Sequence, residues 1–282
     1  MINYHQPLYR PPAEANSIII QATLGCSYNK CSFCTMYESK NFVIRKLEDV
    51  FLDMDKMSKY YNNSNKLFLA DGDALSLSTE HLIKIIDYAY LKFPKLRRVS
   101  LYASAFNLYD KSLDELKLLR SKGLNLIYYG IESGSFEILK KIQKPISNKK
   151  MIDGLNKAYE ANLKISATVI LGLAGKKYSK EHITASANLI NQVNITYLST
   201  LQLMLETHTK QKIINNFKDE FQELNEKEML EEQKEFISLL NPLNKVIFRS
   251  NHVSNILPLA GTLPKDKNKL LEELSFVIKK IF

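Results

Sequence analysis

The three cysteines are the residues whose type and spacing point most directly to chemistry. Cys26, Cys31 and Cys34 lie in one short segment, and they are all the cysteines that the sequence contains. An odd number of thiols leaves one unpaired, and a reducing compartment disfavours disulfides, so we expect these side chains to bind metal. Three thiolates suit a four-iron cluster whose fourth iron takes another ligand, or a structural zinc with a fourth protein ligand. Because the nearest histidines are His5 and His81, the sequence favours the cluster, with zinc as the alternative.

The elements that must position these cysteines follow a regular alternation from residue 17 onward. Short β-branched segments alternate with amphipathic helical segments, which is typical of βα units around a parallel sheet. The predicted strands cover residues 17–23, 66–70, 98–104, 125–129, 164–171 and 196–203. The predicted helices cover residues 47–60, 79–93, 113–122, 136–142, 148–161 and 181–192. Five of them have a serine near their predicted start that can cap the helix: Ser78, Ser112, Ser135, Ser147 and Ser179.

The predicted fold class is α/β. Six units are too few for the closed eight-stranded barrel, so we predict a partial, open (β/α)6 TIM-like barrel with a C-terminal helical and loop extension. Residues 1–16 contain Pro7, Pro11 and Pro12 and are expected to form an extended N-terminal arm. Residues 17–205 form the predicted barrel core, and residues 206–282 form an extension packed on the same domain. The cysteines follow the first strand, at the end of the barrel where such enzymes carry their chemistry.

The segment from Gly25 to Cys34 reads GCSYNKCSFC and resembles the cluster loop of the radical S-adenosylmethionine (SAM) superfamily. An aromatic residue, Phe33, precedes the third cysteine, as in that family. The resemblance implies that three cysteines bind a [4Fe-4S] cluster whose fourth iron is chelated by SAM. It further implies that reductive cleavage of SAM gives a 5′-deoxyadenosyl radical. The commonest spacing in the family is C-x3-C-x2-C, whereas this chain has C-x4-C-x2-C.

Other turns resemble the SAM-binding segments of the coproporphyrinogen-oxidase-like and methylthiotransferase-like branches. Asp71, Gly72 and Asp73 stand where relatives have Gly-Gly-Glu, which implies that Asp73 receives the methionine ammonium. The segment from Gly130 to Gly134 resembles Gly-x-Gln-Ser-Gly, which implies a ribose contact. The residues implied to bind SAM are Phe33, Asp71, Gly72, Asp73, Ser104, Glu132, Ser133, Lys144, Leu171 and Gly172. Lys144 stands where those relatives have an arginine for the methionine carboxylate, and a helix-end surface lysine is the alternative.

Two polar segments outside the barrel core are candidates for substrate contact. The N-terminal arm carries Arg10 and Glu14, which we expect near the open top of the barrel. The segment after residues 246–248, which have the pattern of a short strand, carries Arg249, Asn251 and His252, and we expect it to close over the cofactor and contact substrate. The alternative is a loop that only caps neighbouring helices. His182 and His208 are expected to be surface or capping residues.

Composition limits the partners. The net charge is +9 and the sequence pI is about 9.2, but the excess is lysine, so nucleic acid is less favoured than an acidic electron donor of the flavodoxin or ferredoxin type.

No apolar segment approaches the ~20 residues of a membrane span, and the start does not resemble a signal peptide, so we expect a cytoplasmic protein. The resemblance to the radical SAM superfamily implies a radical SAM enzyme with an unidentified substrate. The alternative is a non-catalytic iron–sulfur sensor or electron-transfer protein.

Overall fold

The structure of the protein is a computed structural model that describes residues 2–61 and 63–282. Its strands are β1 (Ile18–Gln21), β2 (Thr23–Leu24), β3 (Val43–Ile44), β4 (Lys66–Ala70), β5 (Arg98–Ala103), β6 (Leu124–Glu132), β7 (Lys164–Leu171), β8 (Tyr197–Gln202), β9 (Val246–Ser250) and β10 (Leu259–Leu263). Its α-helices are α1 (Leu47–Tyr61), α2 (Thr79–Lys92), α3 (Ala105–Asp110), α4 (Leu113–Ser121), α5 (Phe136–Lys141), α6 (Asn148–Glu160), α7 (Gly175–Ile190), α8 (Thr207–Asn216), α9 (Glu226–Leu239) and α10 (Lys267–Ile281).

The first of two compact units comprises Met1–Asn29, Cys34–Tyr129 and Lys157–Ile165. Within it β1, β4, β5 and the first part of β6 pair in that order, and every pairing is parallel. Side chains on successive residues of a strand point to opposite faces of the sheet. One face carries a cluster of aromatic rings, in which Phe68, Tyr102 and Tyr128 pack edge to face.

The second unit comprises Lys30–Phe33, Gly130–Asn156 and Ser166–Phe282. Here β7, β8 and β9 are parallel, and β10 pairs with β9 in the antiparallel direction. The helices α8 and α9 form the connection between β8 and β9, and a crossover of this kind is what parallel pairing requires. Helix α9 packs against α7 and α10.

The six predicted strands correspond to β1 and β4–β8, and parallel strands alternating with helices confirm the predicted α/β class. The structure adds a parallel strand, β9, in the segment predicted as an extension. The predicted boundary after residue 205 lies inside the second unit.

Most of the predicted helix caps are present. The hydroxyls of Ser78, Ser112 and Ser135 each accept a hydrogen bond from a backbone N–H in the first turn of α2, α4 and α5. The prediction for Ser179 is wrong, because α7 begins at Gly175 and Ser179 lies inside the helix.

Candidate functional site

The cysteine segment lies between two short strands that pair with each other. Thr23 and Leu24 of β2 pair with Ile44 and Val43 of β3, so residues 25–42 form a loop closed at its base. The three cysteines are partly exposed, and none of them is in a disulfide. No three Cys, His, Asp or Glu side chains in residues 2–61 and 63–282 are grouped to hold a single metal ion. A four-iron cluster has a different requirement, since each thiolate binds a separate iron.

Gly72 allows the turn after β4 to approach the cysteine loop within the first unit. A Cβ atom at Gly72 would lie 2.6 Å from the ring of Tyr37 and 3.1 Å from Cβ of Cys26. Real Cβ atoms do not make contacts of 2.6 Å, so a larger residue at position 72 would require Tyr37 or the turn to shift. Burial and the neighbouring acidic and thiol groups, Asp71 and Cys26 among them, raise the pKa of the Tyr37 hydroxyl far above its usual value.

Asp71 is a buried anchor for the cysteine loop. Its carboxylate accepts hydrogen bonds from the backbone N–H of Gly25 at 3.0 Å and from the side chain of Gln21 at 3.1 Å. The ammonium of Lys40 lies 2.8 Å from the same carboxylate, and this ion pair is almost completely buried. The loop is therefore tied to Asp71 near both of its ends.

Asp73, the predicted partner of the methionine ammonium, is completely buried in the first unit. Its carboxylate accepts hydrogen bonds from Ser27 Oγ at 2.5 Å, from Asn107 Nδ2 at 2.5 Å and from the backbone N–H of Ser104 at 2.9 Å. Burial raises the pKa of Asp73 and outweighs these three donors. Ser104 is the N-cap of α3, where its hydroxyl accepts from the N–H of Asn107.

Glu132 and Lys144 contact each other in the second unit. The Lys144 ammonium lies 2.8 Å from Glu132 Oε1 and 2.8 Å from the carbonyl oxygen of Gly130. Lys144 is only 7% exposed, which rules out the alternative of a surface lysine. Glu132 has a left-handed backbone with φ of 62°, so the turn itself is specialised. Two residues predicted as separate SAM contacts thus form one ion pair.

The prediction that His182 is a surface or capping residue is wrong. The side chain is fully buried, and the residue lies inside α7. Its Nε2 lies 2.9 Å from the carbonyl oxygen of Ile170, and its Nδ1 lies 2.8 Å from Ser133 Oγ. A carbonyl only accepts, so Nε2 carries the hydrogen. Burial lowers the pKa of His182 to about 4, so Nδ1 is unprotonated and accepts from Ser133. His182 therefore connects the predicted ribose segment to the end of β7.

The turn after β7 is held by a second residue that the sequence reasoning missed. Gly172 has a left-handed backbone, with φ of 76°, and its N–H donates to Glu232 Oε1 at 2.5 Å. Ser179 donates its hydroxyl to the other carboxylate oxygen. Burial raises the pKa of Glu232 to about 7. Glu232 belongs to α9, far from this turn in sequence, and no local motif marks it. Leu171 is buried at the end of β7.

Ser32 anchors the middle of the cysteine segment in the second unit, where its backbone N–H donates to the carbonyl oxygen of Ile142 at 3.0 Å. The next residue, Phe33, is partly exposed.

The arm residues are not placed as expected. Glu14 is completely buried, and its carboxylate lies 2.6 Å from Arg98 and 3.0 Å from the hydroxyl of Ser100. Arg98 begins β5, so Glu14 lies toward the amino ends of the strands and not near their carboxyl ends, where the open top was expected. Its burial follows from the ion pair, which compensates its charge. Arg10 is exposed and donates to the carbonyl oxygen of Ser17 at 3.3 Å.

The segment after β9 lies against the end of β8. Asn255 donates to the carbonyl oxygen of Thr200 at 3.0 Å, and the N–H of Ile256 donates to the Gln202 side chain at 2.9 Å. Asn251 is exposed, and His252 Nδ1 lies 2.9 Å from Ser254 Oγ. These contacts place the segment at the carboxyl ends of β8 and β9.

A comparison with known protein families decides the family of the chain. The sequence model of the Radical SAM superfamily matches residues 20–190, which is more than half of the chain. The chain belongs to the radical SAM superfamily. Membership implies a [4Fe-4S] cluster and SAM as cofactors. None of the helices that the structure describes in this radical SAM chain has the length and apolar composition of a membrane span.

Individual relatives of this radical SAM chain cover it in part. The heme chaperone HemW of Bacillus subtilis is 26% identical over 144 residues, which are 51% of this chain and 38% of that protein. A candidate methylthiotransferase of Methanocaldococcus jannaschii is 26% identical over 191 residues, 60% of this chain and 39% of that protein. The chain thus spans about two fifths of the length of the curated relatives that it matches.

A solved structure shares the fold. Coproporphyrinogen III oxidase of Escherichia coli, itself a radical SAM enzyme, superposes with a TM-score of 0.60 at 17% identity. The superposition covers 79% of this chain and 51% of that one. This likeness confirms the predicted fold, a partial barrel of the TIM type.

Proposed function

We propose that the chain is a radical SAM enzyme that abstracts hydrogen from a substrate still to be identified. The observation that carries the proposal is the loop with Cys26, Cys31 and Cys34, within the segment that the superfamily matches. When bound, the cluster supplies the electron that splits SAM into methionine and a 5′-deoxyadenosyl radical.

The residues around the loop fit such a cluster. Thiols are the ligands that iron–sulfur clusters use, and Cys26 and Cys34 lie in the first unit near Tyr37. The Tyr37 hydroxyl is buried and has no hydrogen-bond partner among residues 2–61 and 63–282. A buried donor without an acceptor is costly, and a cluster sulfur is an acceptor that would satisfy it.

The proposed role of the buried charges is to position SAM. Asp73 supplies negative charge for the methionine ammonium, with Ser27 and Asn107 orienting its carboxylate. Lys144 supplies positive charge for the methionine carboxylate, and the ion pair with Glu132 fixes its direction. The hydrogen bond from Gly172 to Glu232 holds the turn on which we place the adenine. Because these groups are already held by hydrogen bonds and an ion pair, they need little reorganisation to orient SAM.

The proposed partner is an acidic electron donor of the flavodoxin or ferredoxin type, because the net charge of the chain is +9. The rival class is a non-catalytic iron–sulfur protein. It is supported by the 26% identity to a protein named as a heme chaperone.

The test separates these two classes. Protein reconstituted with iron and sulfide, reduced without oxygen and mixed with SAM, is expected to release 5′-deoxyadenosine, as measured by liquid chromatography. An intact cluster with no 5′-deoxyadenosine would support the rival. Cys26→Ala should lose both the cluster and the product. Ser39→Ala, an exposed substitution in the same loop, should retain both.

A further inference from the structure

One face of the sheet in the second unit carries polar side chains that are not fully buried. Gln233 of α9 donates to Ser250 Oγ at 2.8 Å, so the face of β9 that carries Ser250 is turned toward the helices. Val246, Phe248 and Ser250 alternate along the strand and are all buried. Arg249 lies between two of them and points to the opposite face, where it is exposed.

The strand register places two hydroxyls beside Arg249 on that face. Ser199 of β8 is the partner of Arg249, and Thr168 of β7 is the partner of Ser199. Residues opposite each other in parallel strands share a face, so the three side chains form one row across the sheet. Ser199 and Thr168 are partly exposed, whereas Leu198 and Val169, on the other face, are buried. We call Thr168, Ser199 and Arg249 the polar row.

An accessible polar row is unusual in a parallel sheet. Such sheets are normally covered by apolar packing on both faces, so strands β7–β9 would be expected to carry aliphatic residues at these positions. The charge of Arg249 also has no carboxylate partner within the part of the chain that the structure describes. Its guanidinium donates to two backbone carbonyl oxygens, of Phe248 at 2.7 Å and of Gly261 at 3.5 Å.

We propose that the polar row binds an anionic group, a carboxylate or a phosphate, of the substrate. A guanidinium offers paired donors that match these oxygens, and the hydroxyls of Ser199 and Thr168 can donate to the same group. The segment carrying Asn251 and His252 leaves β9 directly after this row, at the carboxyl ends of the strands. That the anion belongs to the substrate rests on the proposed function; that the row binds an anion does not.

The experiment uses the arginine side-chain signals of the reconstituted chain. The sequence contains six arginines, Arg10, Arg45, Arg97, Arg98, Arg120 and Arg249, so labelling arginine with ¹⁵N gives few Nε–H resonances, and Arg249→Gln assigns the relevant one. The protein is titrated with acetate in one arm and methyl phosphate in the other, at constant ionic strength. Saturable shifts of the Arg249 signal in either arm are expected, and the stronger arm identifies the class of anion.

Variants test whether the row acts as a unit. Because Arg249→Gln lacks the reporting signal, its binding is measured by isothermal titration calorimetry, and the substitution should weaken binding of the better anion by about tenfold, as loss of a charged hydrogen-bond donor does. Ser199→Ala should weaken it by about threefold, as loss of a neutral donor does. Arg97→Gln, at an exposed arginine in the first unit, should leave it unchanged.

Two outcomes would contradict the proposal that the polar row binds an anion. One is that shifts of the Arg249 signal do not saturate in either arm. The other is that Arg249→Gln binds the better anion with the same affinity as the unsubstituted protein. The titration requires no turnover, so either result leaves the proposed SAM cleavage standing. Conversely, absence of 5′-deoxyadenosine would remove the cleavage and leave the anion site.

Discussion

His182 is a single side chain that couples two backbone segments. Its Nε2–H donates to Ile170 at the end of β7, and its Nδ1 accepts from Ser133 in the turn after β6. In a protonated ring the second bond would reverse, because Nδ1–H would donate to the Ser133 hydroxyl and that hydroxyl would lose its acceptor. The neutral form is favoured by burial, which lowers the pKa of His182 to about 4.

We predict that His182 stays neutral in the folded protein well below pH 6.5. Its pKa is lower in the folded state than in the unfolded state, so the folded state binds fewer protons between about pH 6.5 and pH 4. The stability due to this residue is present above pH 6.5 and is lost as pH falls toward 4. Imidazole ¹⁵N shifts should report the Nε2–H tautomer at pH 5. His182→Gln should remove this part of the pH dependence, and an imidazolium signal at pH 6 would contradict the prediction.

We predict that Glu232 makes the free energy of unfolding change with pH in the opposite direction to His182. Burial raises its pKa from 4.5 to about 7, so the folded state binds more protons between these values. The stability that this gives is present below pH 4.5 and is lost as pH rises through 7, with a total of about 3 kcal/mol. Urea unfolding at pH 5 and pH 8 measures the loss. Glu232→Gln keeps an acceptor for Gly172 and should flatten the difference; an unchanged slope with pH would show that Glu232 is not the cause.

At the scale of elements, the local sequence pattern was sufficient to locate a strand or helix that has a clear run of β-branched residues or a capping residue. The β-branched runs located β1 and β4–β8, and Ser112 marked the start of α4 by a capping box that the structure contains. The start of α7 was missed, because Lys176 and Lys177 gave the first turn no apolar face. His182 was then placed at a helix start instead of in the core.

Long-range pairing was not predictable from local pattern. Residues 246–248 indicated a short strand, but its parallel pairing with β8 depends on α9 packing against α7. The same packing brings Glu232 to Gly172 across 60 positions of sequence. Asp71 shows the limit for the site, since no local pattern indicated that its carboxylate is paired with Lys40 and Gly25, and its contact with SAM stays a prediction.

The cysteine loop should depend on the buried pair of Lys40 and Asp71. Asp71→Asn leaves the Lys40 ammonium buried without its partner, which costs about 3 kcal/mol, and weakens the contact that holds Gly25. We expect a lower midpoint in urea and a lower iron content after reconstitution, measured by iron analysis.

A matched control distinguishes the loop from general destabilisation. Asp53 forms a comparable pair with Arg45 at 2.7 Å, with both side chains 13% exposed. Asp53→Asn should lower stability without lowering the iron content. Adding Lys40→Met to Asp71→Asn should recover part of the stability, because no buried charge remains unpaired. Equal iron loss in the Asp53 and Asp71 variants would contradict a specific role of Asp71.

At the scale of the whole molecule, the charge balance governs encounters more than folding. The chain has 39 basic and 30 acidic residues. Most ion pairs among the described residues are exposed ones of the kind that contribute little to stability. The excess of nine positive charges acts over about 30 Å at 0.01 M salt and over only about 3 Å at 1 M. Its main effect is therefore on association with partners of opposite charge.

We predict that reduction by an acidic donor protein slows as salt is added. With flavodoxin or ferredoxin below saturation, the rate of 5′-deoxyadenosine release should fall by about tenfold from 20 mM to 500 mM KCl, because screening removes the attraction that raises the association rate. A small uncharged reductant is the control, since its encounters are not steered and its rate should change little. Salt that slowed both reactions equally would indicate an effect on the enzyme itself. A rate with the acidic donor that is independent of salt would show that the positive charge does not serve this partner.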